Sequence, residues 1–188
     1  MVIVGRDSAH SILPLNARTE GGPLAFEIDK ITESIESAET GESLNTIVLP
    51  ATQTDLKETV KKNGWLFNWK LEFSKPEHQV YKLVTEKEPQ IIQGLVSLKK
   101  MEDHVFMYLI ENAPSNRGKG KKYIGACGNL TAFGCKMSKD YGFDGVIAFD
   151  AKTALIPHYE KTLGAVHLGG NRMGIFEENA QKLIDKYF

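Results

Sequence analysis

The residues whose types and spacing could do chemistry are concentrated in one short loop, Ser115-Asn-Arg-Gly-Lys-Gly-Lys-Lys122. Gly118 and Gly120 stand two apart among Arg117, Lys119, Lys121 and Lys122, after an apolar run through Tyr108–Ile110 and a break at Pro114. A strand feeding a Gly-rich basic turn that opens a helix suits an anion, above all a phosphate. The unpaired N–H groups and the dipole at a helix N-terminus attract negative charge, and glycine lets the backbone come close to it. A P-loop nucleotide site does not fit, because Gly120-Lys121 is followed by Lys122 rather than Ser or Thr, and the long Gly-x4-Gly spacing is absent. The other reactive residue types form no comparable pattern. His10, His78, His104, His158 and His167 lack metal-ligand spacing, so no metal is expected. Cys127 and Cys135 are eight residues apart, about 12 Å along a helix, too far for a disulfide. They read as buried thiols in a reducing compartment.

The elements that must position this loop can be read from periodicity. Thr46–Leu49, Gln79–Thr85, Ile91–Lys100 and His104–Ile110 read as strands, and the short turns joining the last three imply an antiparallel meander. Leu56–Lys62 reads as a helix stopping at Asn63-Gly64, and Trp65–Phe73, with its alternating aromatics, as a further strand. From Lys119 the pattern turns helical, with Tyr123, Cys127, Leu130, Gly134, Met137 and Tyr141 on one face. Gly145–Phe149 then reads as a buried parallel strand reached through that helical crossover. Ala154–Leu163 is a second helix, Val166–Leu168 with Met173–Phe176 a hairpin, and Glu177–Tyr187 a closing amphipathic helix. Ile28, Ile31 and Ile35 predict one more helix over Glu27–Glu39. The fold class is α/β with a mixed sheet: an antiparallel meander, a βαβ crossover and a C-terminal hairpin. Residues 1–45 form an N-terminal extension packed on a main domain of 46–188. The ligand site is expected where the last meander strand and the Val146 strand separate.

Bulk properties narrow the partners. Net charge is −1 over 188 residues, which argues against a nucleic-acid partner. The first 60 residues carry −6 and the remainder +5, a local basicity suited to a small phosphorylated ligand. No basic leader with a sustained apolar run opens the chain, and no window approaches the roughly 20 apolar residues that span a bilayer. The expectation is a cytoplasmic protein without a membrane partner; a homodimer is compatible with it.

With these elements in place, the chain resembles the GCN5-related N-acetyltransferases from roughly Thr46 to Phe176. The resemblance rests on Pro114-Ser-Asn-Arg-Gly-Lys-Gly120 and, about forty residues later, His158-Tyr-Glu-Lys-Thr-Leu-Gly164, with the family's strand and helices between them. It implies a GNAT-like fold and transfer of an acetyl group from acetyl-CoA, as co-substrate, to a primary amine of a small molecule or peptide. Ser115, Asn116, Arg117, Gly118, Lys119, Gly120 and Lys121 would hold the CoA pyrophosphate. Ile110, Glu111 and Asn112 would run beside the pantetheine and thioester, with one N–H free for the thioester carbonyl. Tyr159 would protonate the departing thiolate, and Glu111, the nearest carboxylate, would accept the amine proton. Three positions depart from the family's habit: Ser115 stands where Gln or Arg is usual, Lys152 where Asn is frequent among cofactor contacts, and Thr162 is an extra residue before Gly164. These departures motivate the alternative of a catalytically silent relative that binds acyl-CoA as a sensor or interaction module. An acetyltransferase acting on charged tRNA is disfavoured by the net charge.

Overall fold

The structure is a computed structural model, and it describes Ile28 and residues 34–188. Alternating apolar residues build a seven-stranded sheet from β3 (Thr46–Pro50), β4 (Gln79–Thr85), β5 (Gly94–Lys100), β6 (Val105–Asn112), β8 (Ile147–Asp150), β9 (Val166–Gly169) and β10 (Arg172–Ile175). Their spatial order is β3-β4-β5-β6-β8-β10-β9. All neighbours are antiparallel except β6 and β8, which run parallel. Helix α3 (Ala126–Asp140) makes the crossover between those two strands. The meander, the crossover and the terminal hairpin are those read from the sequence. Outside the main sheet, β1 (Ile35–Ser37) pairs with both β2 (Ser43–Leu44) and β7 (Tyr123–Ile124).

Strand alternation sends side chains into two cores. Leu83, Val96, Leu98, Met107, Ile147, Phe149 and Met173 belong to the larger one, with α3, α4 (Ile156–Leu163) and α5 (Glu177–Tyr187). Val80, Leu95 and Ala113 point the other way and join Trp65 and Trp69 beneath α1 (Asp55–Glu58) and α2 (Trp69–Ser74). Among the described residues no helix is long and apolar enough to cross a membrane.

The helix read over Leu56–Lys62 is cut short, with α1 ending at Glu58, Val60 extended and a separate 3₁₀ turn at Lys61–Asn63, and three further elements differ from the sequence reading. Trp65–Phe73 is not a strand: α2 starts at Trp69, where the Asn68 side chain accepts the Leu71 N–H (3.1 Å) and caps the turn. Its buried pair is Trp69 and Glu72, at helical spacing, while Leu71 is left exposed. The helix over Glu27–Glu39 gives way to strand β1 at Ile35–Ser37, because the edge of β7 offers backbone partners there; most of the rest of that segment lies outside the described residues. Finally, α3 begins at Ala126 rather than near Lys119. Tyr123 and Ile124 are drawn out as β7, and Gly125 takes a left-handed conformation (φ 90°) before the helix can open.

Candidate active site

The parallel pair β6–β8 makes the main opening in the sheet. The strands are in register only at Val105 with Ile147 and at Phe106 with Ala148, after which they part. Beside that point β6 carries a bulge: Ser97 lies opposite Leu109 and Leu98 opposite Met107, leaving Tyr108 as the extra residue. Bulges bend and twist a strand away from its neighbour. Further along, the Ala113 N–H bonds the Gln93 carbonyl on the β5 side (3.0 Å). Backbone groups alternate sides along a strand, so Glu111 also faces β5, while Ile110 and Asn112 aim their N–H groups into the gap.

The gap leads to the start of α3. No side chain caps this helix, and the first amide bonded back along it is that of Asn129, to the Gly125 carbonyl (3.0 Å). The initial N–H groups of a helix have no intrahelical acceptor, so this end suits an anion. The helix begins at Ala126, six residues beyond Gly120, so the glycine loop flanks the helix start instead of forming it.

The loop is anchored from within. Asn116 is buried; its side-chain amide donates to the Gln93 carbonyl and Oε1 (both 3.0 Å), and its Oδ1 accepts the Tyr123 N–H (3.2 Å). Its own N–H is bonded to the Ala113 carbonyl (2.8 Å). Arg117 turns inward to Glu111 (3.2 Å) and to the Gly64 carbonyl. Gly118, Lys119 and Gly120 are exposed, and their N–H groups have no partner among the described residues. A Cβ built at Gly118 or Gly120 would meet nothing within 4 Å, and Gly118 holds φ 71°. Ser115 is exposed, and its carbonyl closes the loop by accepting the Lys122 N–H (2.8 Å). Lys121 and Lys122 border a cleft shared with Glu39 and Glu42 of the β1–β2 turn, which tempers the loop's positive field.

Glu111 has no exposed side-chain surface. One carboxylate oxygen accepts the Leu66 N–H (2.7 Å) and the Arg117 guanidinium (3.2 Å), and the other accepts the Trp69 indole N–H (2.7 Å). Burial raises its pKa above the ordinary carboxylate range, against the pull of those hydrogen bonds and of the Arg117 charge. The arrangement holds the Gly64–Trp69 segment and the loop together.

Tyr159 is buried in α4, its ring edge-on to Phe149 (5.3 Å between centroids) on the face of the sheet opposite Asp150. The preceding His158 accepts the backbone N–H of buried Ile28 (2.8 Å), so part of the N-terminal chain reaches α4. Lys152 is exposed just after β8, and its carbonyl accepts the Leu155 N–H (2.8 Å). The structure thus groups Ile110, Asn112 and the α3 terminus at one opening, with the loop beside it and Tyr159 against the adjoining β8. A second polar group on the α2 face of the sheet, formed by Glu72 of α2, His78 just ahead of β4 and Ser97 of β5, is absent from the sequence reading. It could not be seen while Glu72 was assigned to a strand.

The strand order, the single parallel pair and its separation define the fold of the GCN5-related N-acetyltransferases. The chain superposes on a spermidine N-acetyltransferase SpeG chimera from Vibrio cholerae and hSSAT with a TM-score of 0.52 at 15% identity, covering 73% of this chain and 99% of the other. A structure of AtaTR bound with AcCoA aligns with a TM-score of 0.48 at 13% identity, over 74% and 98% of the two chains. No protein-family model and no curated protein matches the sequence.

Proposed function

We propose that this protein is an N-acetyltransferase that moves an acetyl group from acetyl-CoA to a primary amine by direct transfer in a ternary complex. The observation that carries this reading is the gap between β6 and β8, which opens at the uncapped start of α3 with two backbone N–H groups aimed into it.

The residues present fit a CoA ester. The α3 terminus takes the pyrophosphate, and Ser115, Gly118, Lys119, Gly120 and Lys121 flank it, with Asn116 and Arg117 fixing the loop from below. Ile110 and Asn112 run beside the pantetheine, and one of their N–H groups polarises the thioester carbonyl as charge develops on its oxygen. Lys152, exposed at the far rim, adds positive charge toward the phosphates. Acetyl-CoA supplies the activated acyl group. The amine lone pair attacks the carbonyl carbon, the C–N bond forms as the C–S bond breaks, and the Tyr159 hydroxyl gives its proton to the departing thiolate. Much of the rate comes from holding two reactants in place, since effective molarities of about 10⁵ M or more are reached by well-oriented groups.

Isothermal titration with acetyl-CoA, followed by detection of released thiol over a panel of amines including a polyamine, tests this. Binding together with amine-dependent thiol release is expected. No binding heat at millimolar ligand overturns the reading, and binding without thiol release replaces it by the acyl-CoA-binding alternative.

A further inference from the structure

We propose that His78, oriented by Glu72, is the group that takes the proton from the attacking amine; this rests on the acetyltransferase reading above. Three observations lead there, and the first is the commitment of Glu111. With its oxygens bonded to Leu66, Trp69 and Arg117 and no surface exposed, that carboxylate is engaged in holding the fold.

The second observation is a histidine–carboxylate pair on the same face of the sheet. Glu72 of α2 is buried, and its Oε1 meets His78 Nδ1 at 2.7 Å and the Ser97 hydroxyl at 2.8 Å, while Oε2 meets Lys75 Nζ at 2.8 Å. Burial pushes the Glu72 carboxyl up, but the hydrogen bonds from Lys75, Ser97 and His78 outweigh it and hold the group below its ordinary value. An ionised carboxylate only accepts, so the neutral ring keeps its proton on Nδ1 and leaves the Nε2 lone pair available. Nε2 has no hydrogen-bond partner among the described residues. The charged and titratable groups around the ring are Glu72 and Lys75 from α2, Glu77 with its ion-pair partner Lys99 (2.9 Å), and Tyr108 from β6.

The third observation is position. The His78 ring lies 4.2 Å from the ring of Tyr108, the extra residue of the β6 bulge, and Tyr108 is half-buried. That bulge sits where β6 leaves β8. At roughly 3.4 Å per residue it is about 14 Å down the strand from Asn112, the depth a pantetheine arm must reach for its thioester to meet the apex of the gap. Phe106 and Tyr108 share the face of Asp150 and Arg172, whereas Tyr159 packs against Phe149 on the other. The proton acceptor for the amine and the donor for the thiolate therefore address the gap from opposite sides. Asp150, the remaining carboxylate on the His78 side of β8, is paired with Arg172 (2.6 Å).

The proton balance follows from this placement. An ammonium group gives one proton to His78 Nε2, which passes it to water. The neutral amine attacks the thioester carbon, the C–S bond breaks as the thiolate takes the Tyr159 proton, and the proton the nitrogen sheds as the amide forms passes to His78 and returns through water to the tyrosinate. The products are the amide and free CoA thiol.

The test uses the full chain with acetyl-CoA and three amines (1,4-diaminobutane, phenethylamine and Nα-acetyl-lysine amide), reading released thiol across pH 5.5–9. His78→Gln is expected to lower kcat about 10²-fold with the best amine, to abolish the acid limb of the pH profile and to leave acetyl-CoA affinity unchanged. Added imidazole restores part of the lost rate. Glu72→Gln, a second variant should the first not fold, is expected to lower kcat about tenfold without changing acetyl-CoA affinity. Turnover within threefold of wild type and an unaltered pH profile in the variant that folds would overturn the assignment of His78 while leaving the acetyltransferase reading intact. Wild-type protein that binds no acetyl-CoA, or releases thiol with none of the three amines, overturns both.

Discussion

Replacing Glu111 by Gln separates a structural carboxylate from a chemical one. Gln keeps the volume and one accepting oxygen but places an NH₂ where the second oxygen stood. Three donors converge on the native carboxylate: the Leu66 N–H, the Trp69 indole N–H and the Arg117 guanidinium. At least one buried donor then faces another donor, at a cost of about 1–3 kcal/mol. Arg117 is 20% exposed, so the lost ion pair adds only a screened contribution. A total of about 3 kcal/mol corresponds to a fall in Tm of roughly 6–12 °C at this chain length. Because Arg117 ties the loop to the Gly64 carbonyl, acetyl-CoA affinity should fall as well, with kcat at saturating substrates within about threefold of wild type. Differential scanning fluorimetry and thiol-release kinetics read the two effects. A Tm within about 1 °C of wild type together with a collapse of kcat would refute the structural assignment and return Glu111 to the role of proton acceptor.

Other outcomes are equally specific. Tyr159→Phe should lower kcat about 10²-fold while leaving acetyl-CoA affinity in calorimetry nearly unchanged. Gly118→Ala places a Cβ at φ 71°; it should cost about 1–2 kcal/mol in denaturant melts without any steric clash. Stability should drop as pH falls below about 4.5, because hydrogen bonds that outweigh burial hold the Asp55 and Glu72 carboxyls below their ordinary values of 3.8 and 4.5. Such groups bind protons more tightly in the unfolded chain, so their stabilisation is present above the unfolded pKa and lost on acidification. Glu72→Gln should flatten that acid slope in urea melts at pH 3–6, and Glu111, whose shift is upward, works in the opposite sense as pH rises.

Much of the sheet was legible because half-buried strands write their alternation into the sequence. The strand read at Gln79–Thr85 has the same bounds in the fold, and the hairpin and closing helix stand where periodicity put them. The errors fall where partners remote in sequence overrule local pattern. Glu36 and Ser37 belong to a strand because Ile124 and Tyr123 of β7, nearly ninety residues later, pair with them. Phe67, Trp69, Leu71 and Phe73 alternate like a strand, yet Asn68 caps a helix among them. The same limit applies to the candidate site. The parting of β6 and β8 follows from the order of elements, but two of the three partners of Glu111, Trp69 and Leu66, lie 42 and 45 residues upstream, where no spacing rule relates them to it. His78, just ahead of β4, and Ser97, on β5, are 19 residues apart and come within 3.3 Å of each other beside the buried Glu72.

The anchoring of the loop has a consequence for binding thermodynamics. Asn116 is tied to Gln93 and Tyr123, Arg117 to Glu111 and Gly64, and Lys122 to Ser115 and, through its carbonyl, to the Ala38 N–H. Gly118, Lys119 and Gly120 lie between these ties. Ordering a residue costs about 1–2 kcal/mol, and for the tied residues that cost is met on folding, before any ligand arrives. The loop is therefore preorganised, and an incoming anion meets a surface that loses little further freedom on contact. Selection among anions at such a surface depends on shape and depth, with little help from a loop that could close around whatever it met.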